Sequence, residues 1–237
     1  MKQLIKGIAR PLLWFAAWMM AGIIVFRLLR PFLGGWTELA AELGVQLPIA
    51  LLMFRHLNRK HKTPKTVLTK KASISIVLVF VLLCCVPTQL FCYAAGTASP
   101  LGGSNIQTTI IRSLLLAPVM EEFMFRGVLF RMAHQRLRFW PAAIFNAVMF
   151  QLVHGIDRLP VTVPLALASA ALYDATGNIR YSMMLHFACN WLALFMYDIH
   201  IPVVIALPMY LIGQACVILG CIKREAILKP SLVKSRG

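Results

Sequence analysis

The sequence predicts an all-α protein, a polytopic membrane helical bundle of about eight transmembrane segments, some of them short or broken. Three observations predict it. The 237 residues are 59% hydrophobic, with a mean hydropathy of +0.76, where soluble domains lie nearer ~45–50% apolar. The apolar residues gather in runs approaching the roughly 20 that a membrane helix needs. The basic residues fall mainly between those runs, and mainly on one side of the membrane. No stretch reads as a separate soluble domain, so residues 1–237 are expected to form a single integral membrane domain.

The apolar segments lie at about 11–29, 36–54, 72–95, 106–125, 139–155, 159–175, 181–197 and 201–222. The first follows Lys2, Lys6 and Arg10 as a signal peptide would. It ends in Arg27 and Arg30 without a small-x-small cleavage site, so an uncleaved span is expected. Pro87, Pro118, Pro160, Pro164 and Pro208 permit kinks where neighbouring helices satisfy the freed carbonyls. The fifth, sixth and seventh segments are short for straight spans, and breaks or re-entrant turns are expected among them. Flexible connections are expected at Arg55–Lys71, at the Gly/Ser-rich Gly96–Asn105 and after Lys223.

A net charge of +16 would point to nucleic acid in a soluble protein. Here the placement of the charges gives another reason for them. Lys2, Lys6 and Arg10 precede the first segment, and a run from Arg55 to Lys71 follows the second. Arg126, Arg131, Arg136 and Arg138, then Arg180, then Lys223 onward fall on the same side, with only Arg27, Arg30 and Arg158 opposite and Arg112 inside a segment. This is the positive-inside bias, and it predicts a multi-pass plasma-membrane protein with both termini cytoplasmic. The partners expected are therefore the lipid bilayer and a membrane substrate, with no nucleic acid. The six cysteines lie in apolar segments without a C-x-x-C pair and read as small buried hydrophobes.

One segment breaks the apolar pattern: Leu116-Ala117-Pro118-Val119-Met120-Glu121-Glu122-Phe123-Met124-Phe125-Arg126. The chain holds only eight acidic residues, and these two are adjacent. Two glutamates and an arginine at the centre of a membrane helix together cost about 8–10 kcal/mol. A whole domain is stable by only about 5–15 kcal/mol. Such groups must be paired, water-lined or functional. Glu122 and Arg126 are four residues apart, share a helical face and can pair. Glu121 is turned about 100° away, so one carboxylate can be tied structurally while the other faces a cavity. Pro118 is expected to loosen the helix there.

Two further clusters follow on later segments: Phe150-Gln151-Leu152-Val153-His154, and His186-Phe187-Ala188-Cys189-Asn190. Each places its end residues one turn apart. Tyr173-Asp174-Ala175-Thr176-Gly177-Asn178 reads as a turn-like joint before the last of them. His56, His61, His134 and His200 sit at loops or interfaces and are given no role. Counting about 1.5 Å per residue from the cytoplasmic ends puts Glu121 roughly 15 Å deep, His186 roughly 9 Å and His154 roughly 21 Å, a spread that straight helices would not bring to one level.

In order, E-E-x-x-x-R, F-x-x-x-H and H-x-x-x-N resemble the motif set of the CPBP intramembrane proteases. That family is named for CAAX and bacteriocin processing, is also called Abi, and includes the type II CAAX prenyl endopeptidases. The residues are Glu121, Glu122 and Arg126, then Phe150 and His154, then His186 and Asn190, and the resemblance covers roughly residues 105–195, the expected catalytic core. It implies an all-helical membrane endopeptidase, of bacterial origin given the short chain, acting on membrane-associated peptides or proteins such as CAAX-type or bacteriocin- and pheromone-like precursors. It further implies that Glu121 and His154 activate a water, that His186 and Asn190 form an oxyanion hole, and that Glu122 and Arg126 support the site.

The residue chemistry permits these roles and calls for no cofactor. Zinc is the alternative, since His154, His186 and Glu121 are an acceptable three-ligand set, although no H-E-x-x-H occurs. Cys189 lies between His186 and Asn190 on another helical face, which disfavours a thiol mechanism. Two rival functions use the same residues: a non-catalytic membrane scaffold or bacteriocin self-immunity protein, and a small transporter with a proton relay. The second lacks the internal repeat common among transporters.

Overall fold

Apolar runs set where the helices lie, and prolines set where several of them change pitch. The structure, a computed structural model, describes residues 2–60, 70–96, 106–196, 199 and 201–224. His61, His200, much of the basic loop, the loop after Gly96 and the tail after Arg224 lie outside the described residues. Among the described residues every regular element is helical, and the protein is an all-α membrane helical bundle.

The helices in order are α1 Lys2–Leu33, α2 Thr37–Ala41, α3 Leu47–Lys60, α4 Lys70–Phe80, α5 Val86–Ala94, α6 Ile106–Ile111, α7 Ala117–Glu122, α8 Arg131–His134, α9 Phe139–Leu152, α10 Leu159–Thr176, α11 Ile179–Phe195 and α12 Val203–Ile222. Gly7–Arg59, Ser75–Ala94, Ile156–Thr176 and Val203–Ile222 are long and apolar enough to cross a membrane, and Phe139–Leu152 is a shorter apolar helix. Helix α1 begins before the first apolar segment and ends after it. Helix α3 carries on to Lys60, through residues expected to be loop. Hydropathy marks where a helix leaves lipid; the backbone hydrogen bonds continue into water as far as propensity allows.

Wide turns with i→i+5 hydrogen bonds join several of these helices. Leu47 N–H bonds Glu42 O, Val86 N–H bonds Val81 O, and Ala117 N–H bonds Arg112 O. Each turn (Glu42–Gln46, Val81–Cys85 and Arg112–Leu116) closes two residues before a proline: Pro48, Pro87 and Pro118. The reason is steric. A proline removes its own N–H and pushes against the carbonyl four residues back. Those carbonyls belong to Gly44, Leu83 and Leu114, at the middle of each turn, and the widened ring accommodates them. Pro87 and Pro118 thus act where kinks were expected. Pro160 instead opens α10, where a missing N–H costs nothing. The longest wide stretch, Phe123–Phe130, has no proline after it; it encloses Arg126.

The chain divides into two units, Met1–Lys62 with Leu101–Asn146, and Thr63–Pro100 with Ala147–Gly237. In the first, α1 packs on α2 and on the wide turn Glu42–Gln46 that leads into α3, and Trp18 Nε1 donates to Gln46 O at 2.9 Å. The helical run Gly7–Arg59 is 53 residues long, or ~80 Å of helix against ~30 Å of hydrocarbon, and it is broken at Gly34–Trp36, where Gly34 has φ +51°. Phe15, Trp18 and Phe125 cluster at its centre, with ring centroids 5.9–6.2 Å apart. In the second unit α10 packs on α11 and α12, and α12 on α5. Helix α10 buries Ala166, Ala168, Ala170 and Ala171, small residues that let membrane helices approach closely.

Candidate functional site

The first unit holds the glutamate pair. Helix α7 ends at Glu122, and the wide stretch Phe123–Phe130 carries Arg126. Arg126 Nη1 lies 3.0 Å from Glu122 Oε1, and both side chains are fully buried. Glu121 is half-buried. The adjacent carboxylates therefore differ as their helical phase requires: one is sealed on an arginine, the other retains access. Phe54 packs on Phe123 at 4.9 Å and Arg131 is bonded by Asn58 and Leu57 O, so α3 braces the motif helix on both sides of Arg126.

A second charged group in this unit was not legible in the motif. Arg112 forks onto Glu42, Nε to Oε2 at 3.0 Å and Nη2 to Oε1 at 2.5 Å, and also pairs with Glu38. Its planar fork suits a carboxylate. Glu121 is within electrostatic reach of Arg112, Glu42 and Arg126. Half of the chain's eight acidic residues thus gather in this unit around two arginines. The signal available in the sequence was Glu38 and Glu42 at i and i+4 facing a lone intramembrane arginine.

The second unit holds the histidines. Phe150 is 1% exposed near the end of α9. His154 lies just past that end, in the turn before Gly155. Its Nδ1 is 2.7 Å from Phe150 O, one of the carbonyls a helix terminus leaves without an intrahelical partner. A carbonyl only accepts, so Nδ1 carries the proton and Nε2 is the basic nitrogen of the neutral ring. The Phe150 ring sits 4.3 Å from the His154 ring and 5.8 Å, edge-on, from the His186 ring. One aromatic side chain therefore seats both histidines, and the straight-rod depth count overstates their separation. His186 is buried and Asn190, one turn on, is half-buried.

Local chemistry fixes both approaches to these residues. Gly177 has φ +61° and its N–H bonds Tyr173 O, closing α10. Asn178 then caps α11 by accepting from Arg180 N at 3.1 Å. The expected Tyr173–Asn178 joint is this two-residue turn. Gly155, after His154, has φ +80° and ψ 158°, a conformation nearly confined to glycine. A Cβ there would also meet Asp157 Oδ1 at 2.8 Å. Gly155→Ala is expected to cost about 1–3 kcal/mol, read as a lowered unfolding midpoint in detergent; an unchanged midpoint would show that the turn tolerates a side chain.

Helix α11 is tethered from a helix the motifs do not touch. On α5, buried Gln89 donates to Cys189 O at 3.4 Å and lies 3.6 Å from its Sγ. One turn later, Tyr93 OH donates to Ala193 O. These carbonyls flank Asn190 in sequence, so two side chains one turn apart hold two carbonyls one turn apart. Gln89→Leu and Tyr93→Phe are each expected to cost about 0.5–1.5 kcal/mol, with the double variant showing whether the two bonds act as a unit. Cys189 is buried beside Gln89 and makes no disulfide.

Glu121, Glu122 and Arg126 thus belong to the first unit, and Phe150, His154, His186 and Asn190 to the second. His134 stacks on Phe130 at 5.3 Å and His56 is exposed. Among the described residues no three His, Cys, Asp or Glu side chains are grouped as a metal-binding set.

Residues 103–192 match the family model described as Type II CAAX prenyl endopeptidase Rce1-like. The chain is also similar to the "Putative membrane peptidase YdiL" of Bacillus subtilis (strain 168), 28% identical over 82 residues, which are 34% of each chain. That similarity covers about a third of the relative's length. No solved structure matches the chain.

Proposed function

We propose that this membrane protein, whose residues 103–192 match the type II CAAX prenyl endopeptidase Rce1-like model, is a CPBP-type endopeptidase that hydrolyses peptide bonds of membrane-associated peptides or proteins. Its substrates are CAAX-type or bacteriocin- and pheromone-like precursors, and it works in a bacterial plasma membrane with both termini cytoplasmic. Glu121 takes a proton from a water as that water attacks the scissile carbonyl carbon. His154 orients the same water through Nε2 and helps return a proton to the departing amine. His186 and Asn190 donate to the oxyanion, a contribution of about 3–4 kcal/mol in a site that excludes water. Glu122 and Arg126 hold the first carboxylate's helix in phase.

The observation that supports this most is the inequality of the glutamate pair. Glu122 is sealed on Arg126, while Glu121 is half-buried one residue away. A structural lock needs one of them; a base needs the other. The test is proteolysis by the purified protein in liposomes containing a library of membrane-anchored peptides, with and without a strong chelator. Cleavage that persists with chelator and is lost in both Glu121→Gln and His186→Ala supports the water-activating glutamate. Loss with chelator and recovery with zinc transfers the role to a metal held by His154, His186 and Glu121. A folded wild type that cleaves nothing, together with a Glu121→Gln protein that keeps its cellular phenotype, favours the scaffold or immunity reading.

A further inference from the structure

A groove of about 400 Å³ opens on the first unit between α1 and α3. Exposed Trp14 and Leu52 line it together with buried Val128 and Met132, which follow the glutamate motif. Arg10 and His56 line it too. Arg10 stands one turn before Trp14 on α1, and His56 one turn after Leu52 on α3, so on these antiparallel helices both polar groups lie at the same end. Both are exposed, and among the described residues neither has a carboxylate partner. Arg55 and Arg59 stand beside His56 in the sequence. The groove is amphipathic along its length: hydrocarbon walls, then a cationic mouth. A second groove of about 270 Å³ in the other unit has no charged lining residue, so charge is not a general property of this protein's grooves.

We propose that the groove seats one anionic phospholipid, an acyl chain along Trp14 and Leu52 and the phosphate against Arg10 and His56. The volume holds on the order of a dozen methylene-sized groups. Basic pockets between membrane helices recognise anionic headgroups in this way, and an arginine fork fits phosphate oxygens. The inference is independent of proteolysis.

Trp14 makes the proposal measurable, because bromine on an acyl chain quenches a tryptophan that it touches. The protein is reconstituted in phosphatidylcholine with increasing mole fractions of brominated phosphatidylglycerol or brominated phosphatidylcholine. The difference between wild type and Trp14→Phe isolates the Trp14 signal. Half-quenching by the glycerol lipid is expected at a mole fraction about tenfold lower than by the choline lipid. Arg10→Gln with His56→Gln is expected to remove that preference and leave quenching by phosphatidylcholine in place. Leu52→Phe, at a well-exposed wall position, is expected to weaken quenching by both lipids. Equal half-quenching fractions in wild type, or a preference that survives the double variant, would overturn the proposal. Should Trp14→Phe fail to fold, native mass spectrometry of wild type and Arg10→Gln decides it: phosphatidylglycerol retained on wild type and lost from the variant supports the site, and equal retention overturns it.

Discussion

Glu121→Gln is expected to lower peptide cleavage by about 10²–10⁴-fold, the usual contribution of a positioned general base, with the unfolding midpoint close to wild type. Glutamine keeps the shape and most hydrogen bonds of the carboxylate and loses only its ability to take a proton. Glu121 is half-buried and does not form the 3.0 Å ion pair, so folding depends on it less than on its neighbour. Glu122→Gln is expected to do the reverse and lower stability first, because it leaves Arg126 charged in a fully buried position. Two adjacent glutamates should therefore give two separable phenotypes in one pair of experiments, liposome proteolysis and thermal unfolding. An active, stable Glu121→Gln protein would remove Glu121 as the base.

Arg126→Leu is expected to be the most destabilising single change in the first unit. Removing one partner from a buried ion pair typically costs about 3–5 kcal/mol, because the remaining charge has lost both water and counter-charge. In a chain of this length that corresponds to a midpoint lower by on the order of 10 °C. Glu122→Leu with Arg126→Leu removes both charges, and most of the lost stability is expected to return, since apolar replacement of a whole buried pair is often neutral or better. Activity is expected to stay low in the double variant, because Arg126 is also within electrostatic reach of Glu121. Stability restored without activity would assign the arginine a part in setting the charge on Glu121. Restoration of both would make the pair a packing lock alone, and restoration of neither would place the defect in the helix itself.

What the sequence made legible was whatever short-range physics controls. Hydropathy found the four helices long and apolar enough to cross a membrane and the shorter Phe139–Leu152. The i,i+4 spacing found the Glu122–Arg126 pair, and Thr176-Gly177-Asn178 found the joint into α11. The unread features depend on partners far away in the chain. Arg112 meets Glu42 across 70 residues and Gln89 meets Cys189 across 100, and neither glutamine nor arginine advertises its partner. Phe150 was readable as a motif residue, whereas its part in seating both histidine rings needed coordinates. His154 was expected within an apolar segment and instead lies past the end of α9, where its ring serves as the helix's terminal hydrogen-bond partner. Hydropathy does not resolve a helix end to two residues.

The wide stretch Phe123–Phe130 bears on which single-residue deletions the chain can survive. A proline-associated turn such as Arg112–Leu116 can return to regular helix if the proline is also replaced, since the widening answers a local clash. The stretch around Arg126 has no such cause beside it. Losing one residue from it while the hydrogen-bonded rings around Arg126 stay wide would rotate everything downstream by roughly a quarter of a turn relative to Glu121 and Glu122. Arg131 would swing off Asn58, and Phe125 off Phe15 and Trp18. Natural relatives and engineered variants are therefore expected to differ here by substitution and to keep the residue count between Glu122 and Arg131 fixed, whereas the proline-paired turns are where the chain can change length.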